Sequence, residues 1–181
     1  MTPAPLIVTP SLSLRPFVLE DAPKVFAMSR EPGLRRWLPD QVYADESEAR
    51  EVLRRLMALC ADPGTPHRAP FVLGVCLAPS PEVIGHVGLS PRLGQVEIGY
   101  AIEEKHQGRG FATEAVEAVS GWAMRRFGLP GVLGIVATEN APSCRVLERA
   151  GFGLVDEAPG SLHGRHGLVR TYARGRAGAS R

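Results

Sequence analysis

With 181 residues, 44% of them hydrophobic and 22% charged, the chain has the size and composition of one folded domain, not of a disordered segment. No apolar run approaches the ~18 residues of a membrane helix, and Met1-Thr2-Pro3-Ala4-Pro5 lacks the basic and apolar stretches of a secretory signal. A formal charge of +2 is too small to announce a nucleic-acid binder, while Cys60, Cys76 and Cys144 are too few and too far apart for a disulfide framework or a zinc site, so a reduced, cytoplasmic protein is expected.

In chain order, Ser11-Leu12-Ser13-Leu14-Arg15-Pro16-Phe17 alternates polar and apolar residues, the period of a strand. Glu20-Asp21-Ala22-Pro23 then offers acids and a proline, both favoured in a first helical turn. That helix runs to residue 29 and breaks at Glu31-Pro32-Gly33. The spacing of Val52, Leu53, Leu56 and Leu59 predicts a second helix over 45–61. Three strands follow at 71–77, 83–89 and 95–102. Their connectors, Ala78-Pro79-Ser80-Pro81 and Ser90-Pro91-Arg92-Leu93-Gly94, are short, which predicts an antiparallel meander.

A helix over 111–127 carries Ala112, Ala115, Val116, Val119, Trp122 and Ala123 on one face and ends at Gly128-Leu129-Pro130-Gly131. Residues 132–137 are nearly all apolar, as in a strand covered on both faces. Residues 141–150 read as a helix closed by Gly151, 152–155 and 168–173 as the last strands, and 175–181 as a frayed tail. No repeat or linker divides the chain. One α/β (α+β) domain is expected over 1–181, structured from about residue 9 to 174.

The chemistry gathers in Glu103-Glu104-Lys105-His106-Gln107-Gly108-Arg109-Gly110-Phe111-Ala112-Thr113-Glu114-Ala115, where a strand passes through a Gly-rich turn into a helix. A helix start presents unpaired N–H groups and the positive end of the helix dipole, and both attract phosphate. Gly108 and Gly110 let an anion approach with no Cβ between. The charge distribution agrees, with a net −3 over residues 1–104 and +5 over 105–181. A P-loop would need Gly-Lys-Ser/Thr, which is absent. The dinucleotide fingerprint would need a glycine at Thr113 and an acid farther on, where Arg125-Arg126-Phe127 stands. From the turn alone, a plain helix cap is the other reading.

Set beside its neighbours, the turn acquires a likeness. Gln107-x-x-Gly110-x-Ala112 matches the Gln/Arg-x-x-Gly-x-Gly/Ala motif of the GNAT N-acetyltransferase superfamily. Glu97-Ile98-Gly99-Tyr100, Gly110-Phe111-Ala112-Thr113-Glu114-Ala115 and Asn140-Ala141-Pro142-Ser143-Cys144-Arg145-Val146-Leu147-Glu148-Arg149-Ala150-Gly151-Phe152 resemble the Rim-type acetyltransferases of ribosomal-protein N-termini. So does the stretch from Leu12 to Asp21, and the resemblance therefore spans nearly the whole domain. It implies the GNAT fold, a mixed, mostly antiparallel splayed sheet flanked by helices, with acetyl-CoA in the splay and no metal. The pantetheine arm would pair with the backbone of Ile98, Gly99, Tyr100, Ala101 and Ile102. The pyrophosphate would sit on the amides of Gly108, Arg109, Gly110, Phe111, Ala112 and Thr113, in the motif that Gln107 opens. A bulge at Gly99 would free backbone donors for the coenzyme.

Glu97 is the candidate general base. Positions 95, 97, 99 and 101 share a strand face and read Gln, Glu, Gly, Ala, so one carboxylate stands on a floor of small side chains. A matching acid is the base in some relatives; an ordinary solvent-facing glutamate is the other reading. Asn140 would hold a pantetheine amide or merely cap a helix. Many relatives carry a Tyr acid seven residues after the Asn, where Leu147 stands here. Ser143 is the nearest hydroxyl, for the coenzyme's sulfur or a proton relay, or else for its own backbone. A thiolate leaves tolerably without an acid, its thiol having a pKa of about 8.5.

Arg36 and Trp37 fall in the loop region that forms the acceptor side in this family, Trp37 as pocket wall or as plain core. His86 reads as a packed strand histidine ahead of a second base, His163-x-x-His166 as too sparse for a metal, and Cys144 as a buried helix residue. At pH 7, deprotonating an α-amine costs about 1.4 kcal/mol and a lysine roughly 4–5 kcal/mol, so one modest base suits a low-pKa amine. The expected activity is direct acetyl transfer to a primary amine, foremost a protein N-terminus. A small-molecule amine acetyltransferase and a non-catalytic acyl-CoA sensor are the alternatives. The resemblance allows a homodimer; neither nucleic acid nor membrane is expected.

Overall fold

The computed structural model describes residues 3–62 and 64–176. Strands β1 (Ile7–Val8) and β2 (Leu12–Arg15) open the chain, followed by a 3-10 turn (Leu19–Asp21) and helices α1 (Ala22–Ser29), α2 (Pro32–Trp37) and α3 (Glu46–Ala61). The expected meander is β3 (Phe71–Leu77), β4 (Val83–Arg92) and β5 (Gln95–Ile102). Then come α4 (Phe111–Phe127), β6 (Gly131–Ala137), α5 (Ala141–Arg149), β7 (Gly153–Leu162) and β8 (Arg165–Gly175). One sheet holds all eight strands in the order β1-β2-β3-β4-β5-β6-β8-β7, antiparallel except between β5 and β6. The architecture is the mixed, mostly antiparallel sheet flanked by helices. No helix among the described residues is long and apolar enough to cross a membrane.

Alternating side chains divide the interior in two. Leu73 and Val75 of β3 join Val87, Val96 and Ile98 in the larger core, where α4 inserts Ala115, Val116, Val119 and Ala123. Phe71, Trp122 and Phe127 meet at its edge, with ring centroids 5.3 to 5.7 Å apart. On the opposite face Phe17, Ala22, Leu53, Cys76 and Val83 form a smaller core under α1 and α3. Covered on both sides, β3 reads as one apolar run. Asp45 caps α3 by accepting from the Glu48 N–H at 2.9 Å, and Gly128 (φ +64°) ends α4 in the left-handed region.

Parallel neighbours need a crossover, and α4 provides it between β5 and β6. These two strands pair only where Glu97 meets Leu133. Beyond that point β5 has no strand partner on its β6 side among the described residues, and the sheet splays where α4 begins.

Five local expectations are corrected. β1 precedes the single strand expected at 11–17. Glu31-Pro32-Gly33 ends α1 but also starts α2, because proline suits a first helical turn. β4 continues through Pro91 to Arg92, and the turn shrinks to Leu93 and Gly94 (φ +47° and +78°). Pro91 is tolerated because β3 pairs with β4 only as far as Leu89. The strands expected at 152–155 and 168–173 belong to one long hairpin turning at His163 and Gly164 (φ +50° and +75°). No bulge occurs at Gly99, since β4 and β5 stay in register from Gly85 opposite Ile102 to Arg92 opposite Gln95. The frayed tail expected from residue 175 lies outside the described residues after 176; Gly175 pairs with Gly131 and the Arg176 N–H donates to the Pro130 carbonyl.

Candidate active site

A cleft of about 690 Å³ fills the splay. Ile98, Gly99, Tyr100, Ala101 and Ile102 form one wall, and Gln107, Gly108, Gly110, Phe111, Ala112 and Thr113 form its end. Asn140 and Ser143 stand on the α5 side, with Glu97 and Trp37 toward the opposite end. Of the site residues expected from the sequence, only Arg109 and Arg36 stay out of the lining. Arg145 and Arg149 line it as well, and sequence reasoning had left them unassigned. Their i, i+4 spacing on α5, which puts both on one helix face, was the available signal.

Gly108 (φ +74°) and Gly110 (φ +86°) shape the turn, and a Cβ on either would meet nothing within 4 Å. The left-handed backbone demands glycine, and the space above it is open. No side chain caps the start of α4. Gln107 donates its side-chain amide to the Ile102 carbonyl at 2.7 Å, so that side chain holds the turn in place. Lys24 of α1 grips Glu103 at 2.8 Å. Glu104 accepts from the Gly33 N–H at 2.9 Å, while its own N–H donates to Glu31 at 3.0 Å.

On β5 the register sets Ser90 opposite Glu97, Gly88 opposite Gly99, and His86 opposite Ala101. Glu97 therefore stands beside near-bare backbone, with 22% of its side chain exposed and Arg92 3.8 Å away. Burial pushes its pKa above the usual carboxylate range; Arg92 and His163 pull it partly back. His86 lies four residues along β4 from Ser90, about 13 Å at strand rise. It is not brought to Glu97, and burial lowers its pKa to about 4.

Tyr100 points the other way, as period two requires, and crosses the splay to α5. Its hydroxyl lies 2.7 Å from Ser143 Oγ and donates to the Ser143 carbonyl at 3.0 Å. Burial raises its pKa and keeps the phenol protonated, while the Ser143 contact opposes that only in part. The sequence reading took Tyr100 for its backbone alone; its even-numbered place on the strand was the missed signal. Leu147 is 1% exposed and packs on Gly134, so it brings no hydroxyl. Asn140 Oδ1 accepts from the Ser143 N–H at 3.3 Å, which is the capping role, while Nδ2 makes no hydrogen bond among the described residues. Cys144 is buried on α5.

Trp37 is a wall and not core. Arg36 and Arg165 stack over its ring at 4.5 and 5.3 Å, and both guanidiniums approach Glu139, at 3.9 and 3.7 Å. His163 Nδ1 lies 2.8 Å from Asp40. The β7–β8 turn is thus tied to α2 and the turn after it.

A comparison with protein families matches residues 11–153 to the Acetyltransferase (GNAT) domain. The chain belongs to the GNAT acetyltransferase family. As a GNAT protein it is an acyltransferase. It is 28% identical over 175 residues to the uncharacterized N-acetyltransferase p20 of Bacillus licheniformis, spanning 94% of this chain and 89% of p20. Its fold is shared with a putative ribosomal-protein-serine acetyltransferase from Vibrio cholerae (TM-score 0.78, 21% identity, 97% and 99% of the two chains). It is also shared with RimL, a ribosomal L7/L12 α-N-protein acetyltransferase solved with coenzyme A (TM-score 0.77, 19% identity, 94% and 97%). Ribosomal-protein acetyltransferases are thus among the chains with this GNAT fold.

Proposed function

We propose that this GNAT protein moves the acetyl group of acetyl-CoA directly onto a primary amine, foremost the α-amine of a protein N-terminus. One observation carries the reading: Glu97 and the Tyr100–Ser143 hydroxyl pair line the same cleft from opposite faces of β5. The open glycine turn, the uncapped α4, the unpartnered edge of β5 and the Arg145–Arg149 pair fit a phosphate-rich coenzyme with an extended arm. Acetyl-CoA supplies an activated acyl group on a good leaving thiolate. Glu97 takes one proton from the acceptor ammonium, freeing the lone pair that forms the C–N bond as the C–S bond breaks, and the second proton lost by the nitrogen neutralises the CoA thiolate. Backbone N–H groups near Gly99–Ala101 polarise the thioester carbonyl. The Tyr100 phenol turns its single proton from the Ser143 carbonyl to Ser143 Oγ, 2.7 Å away, which frees the serine hydroxyl to donate a hydrogen bond to the departing sulfur. Asn140 Nδ2 is the donor for a pantetheine carbonyl.

The test is release of CoA thiol with an N-terminally free peptide across pH 6–9. Activity through Glu97 should fall on the acid side, where the raised pKa protonates the base, and hold above it. Glu97→Gln should lower kcat about 10²-fold or more with coenzyme binding intact. Undiminished transfer by that variant, or equal turnover of lysine side chains in an N-blocked peptide, would sink the reading.

A further inference from the structure

A second pocket, of about 280 Å³, opens beside the cleft. It lies between helices α1 and α3 and the sheet face that carries His86, Gly88, Ser90 and Gly99. Leu34, Gln41, Ser90 and Gly99 belong to both cavities, so the two adjoin. At the junction Gly88 and Gly99 face each other across the β4–β5 ladder, and a Cβ on Gly99 would meet nothing within 4 Å. Gly99 is two residues from Glu97 on the same face, about 7 Å at strand rise. The passage therefore starts where an acceptor's first carbons would lie.

The walls are mostly apolar, with Ser29, Gln41, Tyr43, His86 and Ser90 as the uncharged polar side chains among them. Val25, Met28, Val52, Leu53 and Leu56 close the pocket from the helices, and Val72 from the sheet. Asp40 is the one acidic side chain among the described lining residues, and His163 already engages it at 2.8 Å. No Lys or Arg lines the pocket. The His86 side chain has no hydrogen-bond partner among the described residues and stays neutral at physiological pH. An ammonium or guanidinium entering here would give up water and find as counter-ion only Asp40, whose side chain is mostly exposed and already bonded to His163. A branched or aromatic hydrocarbon would lose only its hydration.

We infer that this pocket is a specificity site for an uncharged, apolar side chain on the carbon next to the acceptor amine, of the size of leucine or phenylalanine. The inference rests on Glu97 marking the acceptor end of the cleft. Gly99 sets access to the pocket, and Val52 with Leu56 sets its depth.

Amino-acid amides that differ only in side chain test it with the full chain and acetyl-CoA, read as CoA thiol release. Leucinamide or phenylalaninamide should exceed glycinamide in kcat/KM by about 10-fold or more, and lysinamide should fall below both. Val52→Phe fills the pocket from α3 and should bring leucinamide and phenylalaninamide down to the kcat/KM of glycinamide. Equal kcat/KM across the panel, a preference for lysinamide, or an advantage that survives Val52→Phe would overturn the inference. A second readout needs no turnover and no variant. The methyl resonances of Met28, Val52 and Leu56 should shift with 4-methylpentanamide, which is leucinamide without its amine, and not with acetamide. Shifts without acetyl transfer to any amine would keep the pocket and sink the acceptor reading. Turnover with no side-chain preference would do the reverse.

Discussion

The Tyr100–Ser143 contact joins two side chains 43 positions apart across the splay. A hydroxyl held by a protonated phenol has a fixed lone pair and a directed proton, which is what a departing thiolate meets best. Tyr100→Phe should lower kcat several-fold with little change in KM for acetyl-CoA, and Ser143→Ala should do the same. Because they act as one unit, the double variant should be no worse than the single ones, a non-additivity that steady-state kinetics will read. His86 makes a prediction of a different kind. Folded, it titrates near 4, whereas an unfolded histidine titrates near ~6.5. Between those values only the unfolded chain takes the proton. The His86 contribution is therefore complete above about pH 6.5 and is lost as pH falls toward 4. Urea unfolding at pH 7 and pH 5 should show a loss on the order of 1 kcal/mol that His86→Gln removes.

Among the elements, the join between β2 and α1 depends on a buried ion pair. Arg15 meets Asp21 through two hydrogen bonds of 2.8 Å, and a third guanidinium bond reaches the Pro81 carbonyl at 2.8 Å. Asp21 also accepts from the Val18 N–H at 2.9 Å. With the two residues 4% and 8% exposed, removing one partner strands the other's charge. Asp21→Ala should cost about 3–5 kcal/mol in urea unfolding, against less than about 1 kcal/mol for Arg54→Ala in the exposed pair with Glu51. The same scale shows which elements local sequence could reveal. β3, β5 and α4 were legible to the residue, because β5 and α4 each have a buried face that imposes a period, β3 is one apolar run, and a turn or glycine ends each of them. β7 was not. It is an edge strand with exposed residues at most positions, so no burial pattern marks it, and Pro159, Gly160 and Gly164 resemble loop. Its pairing with β8, not its composition, makes it a strand.

For the whole molecule, the two-part charge divided more finely than its sum suggested. Arg145 and Arg149 bring the positive part to the cleft. Much of the negative part is matched locally: Glu46 and Glu51 pair with Arg50 and Arg54 along α3, and Lys24 takes both Glu82 and Glu103. The first part of the chain therefore carries paired acids on its surface and a mostly apolar pocket beneath α1 and α3, which net charge alone had no means to separate. The part of the cleft proposed for the coenzyme was legible as a local arrangement because its turn, helix start and strand are consecutive in the chain. The part proposed for the acceptor was not: Asp40 and His163 meet across 123 positions, and Arg36 and Arg165 both stack over Trp37. The sequence by itself determined the strand and helix periods, the glycine turn and the carboxylate on a bare strand, all properties of neighbouring residues. Only the tertiary structure decided the splay, the Tyr100–Ser143 bridge and the apolar pocket, because each depends on which strands pair and where a helix lands on the sheet.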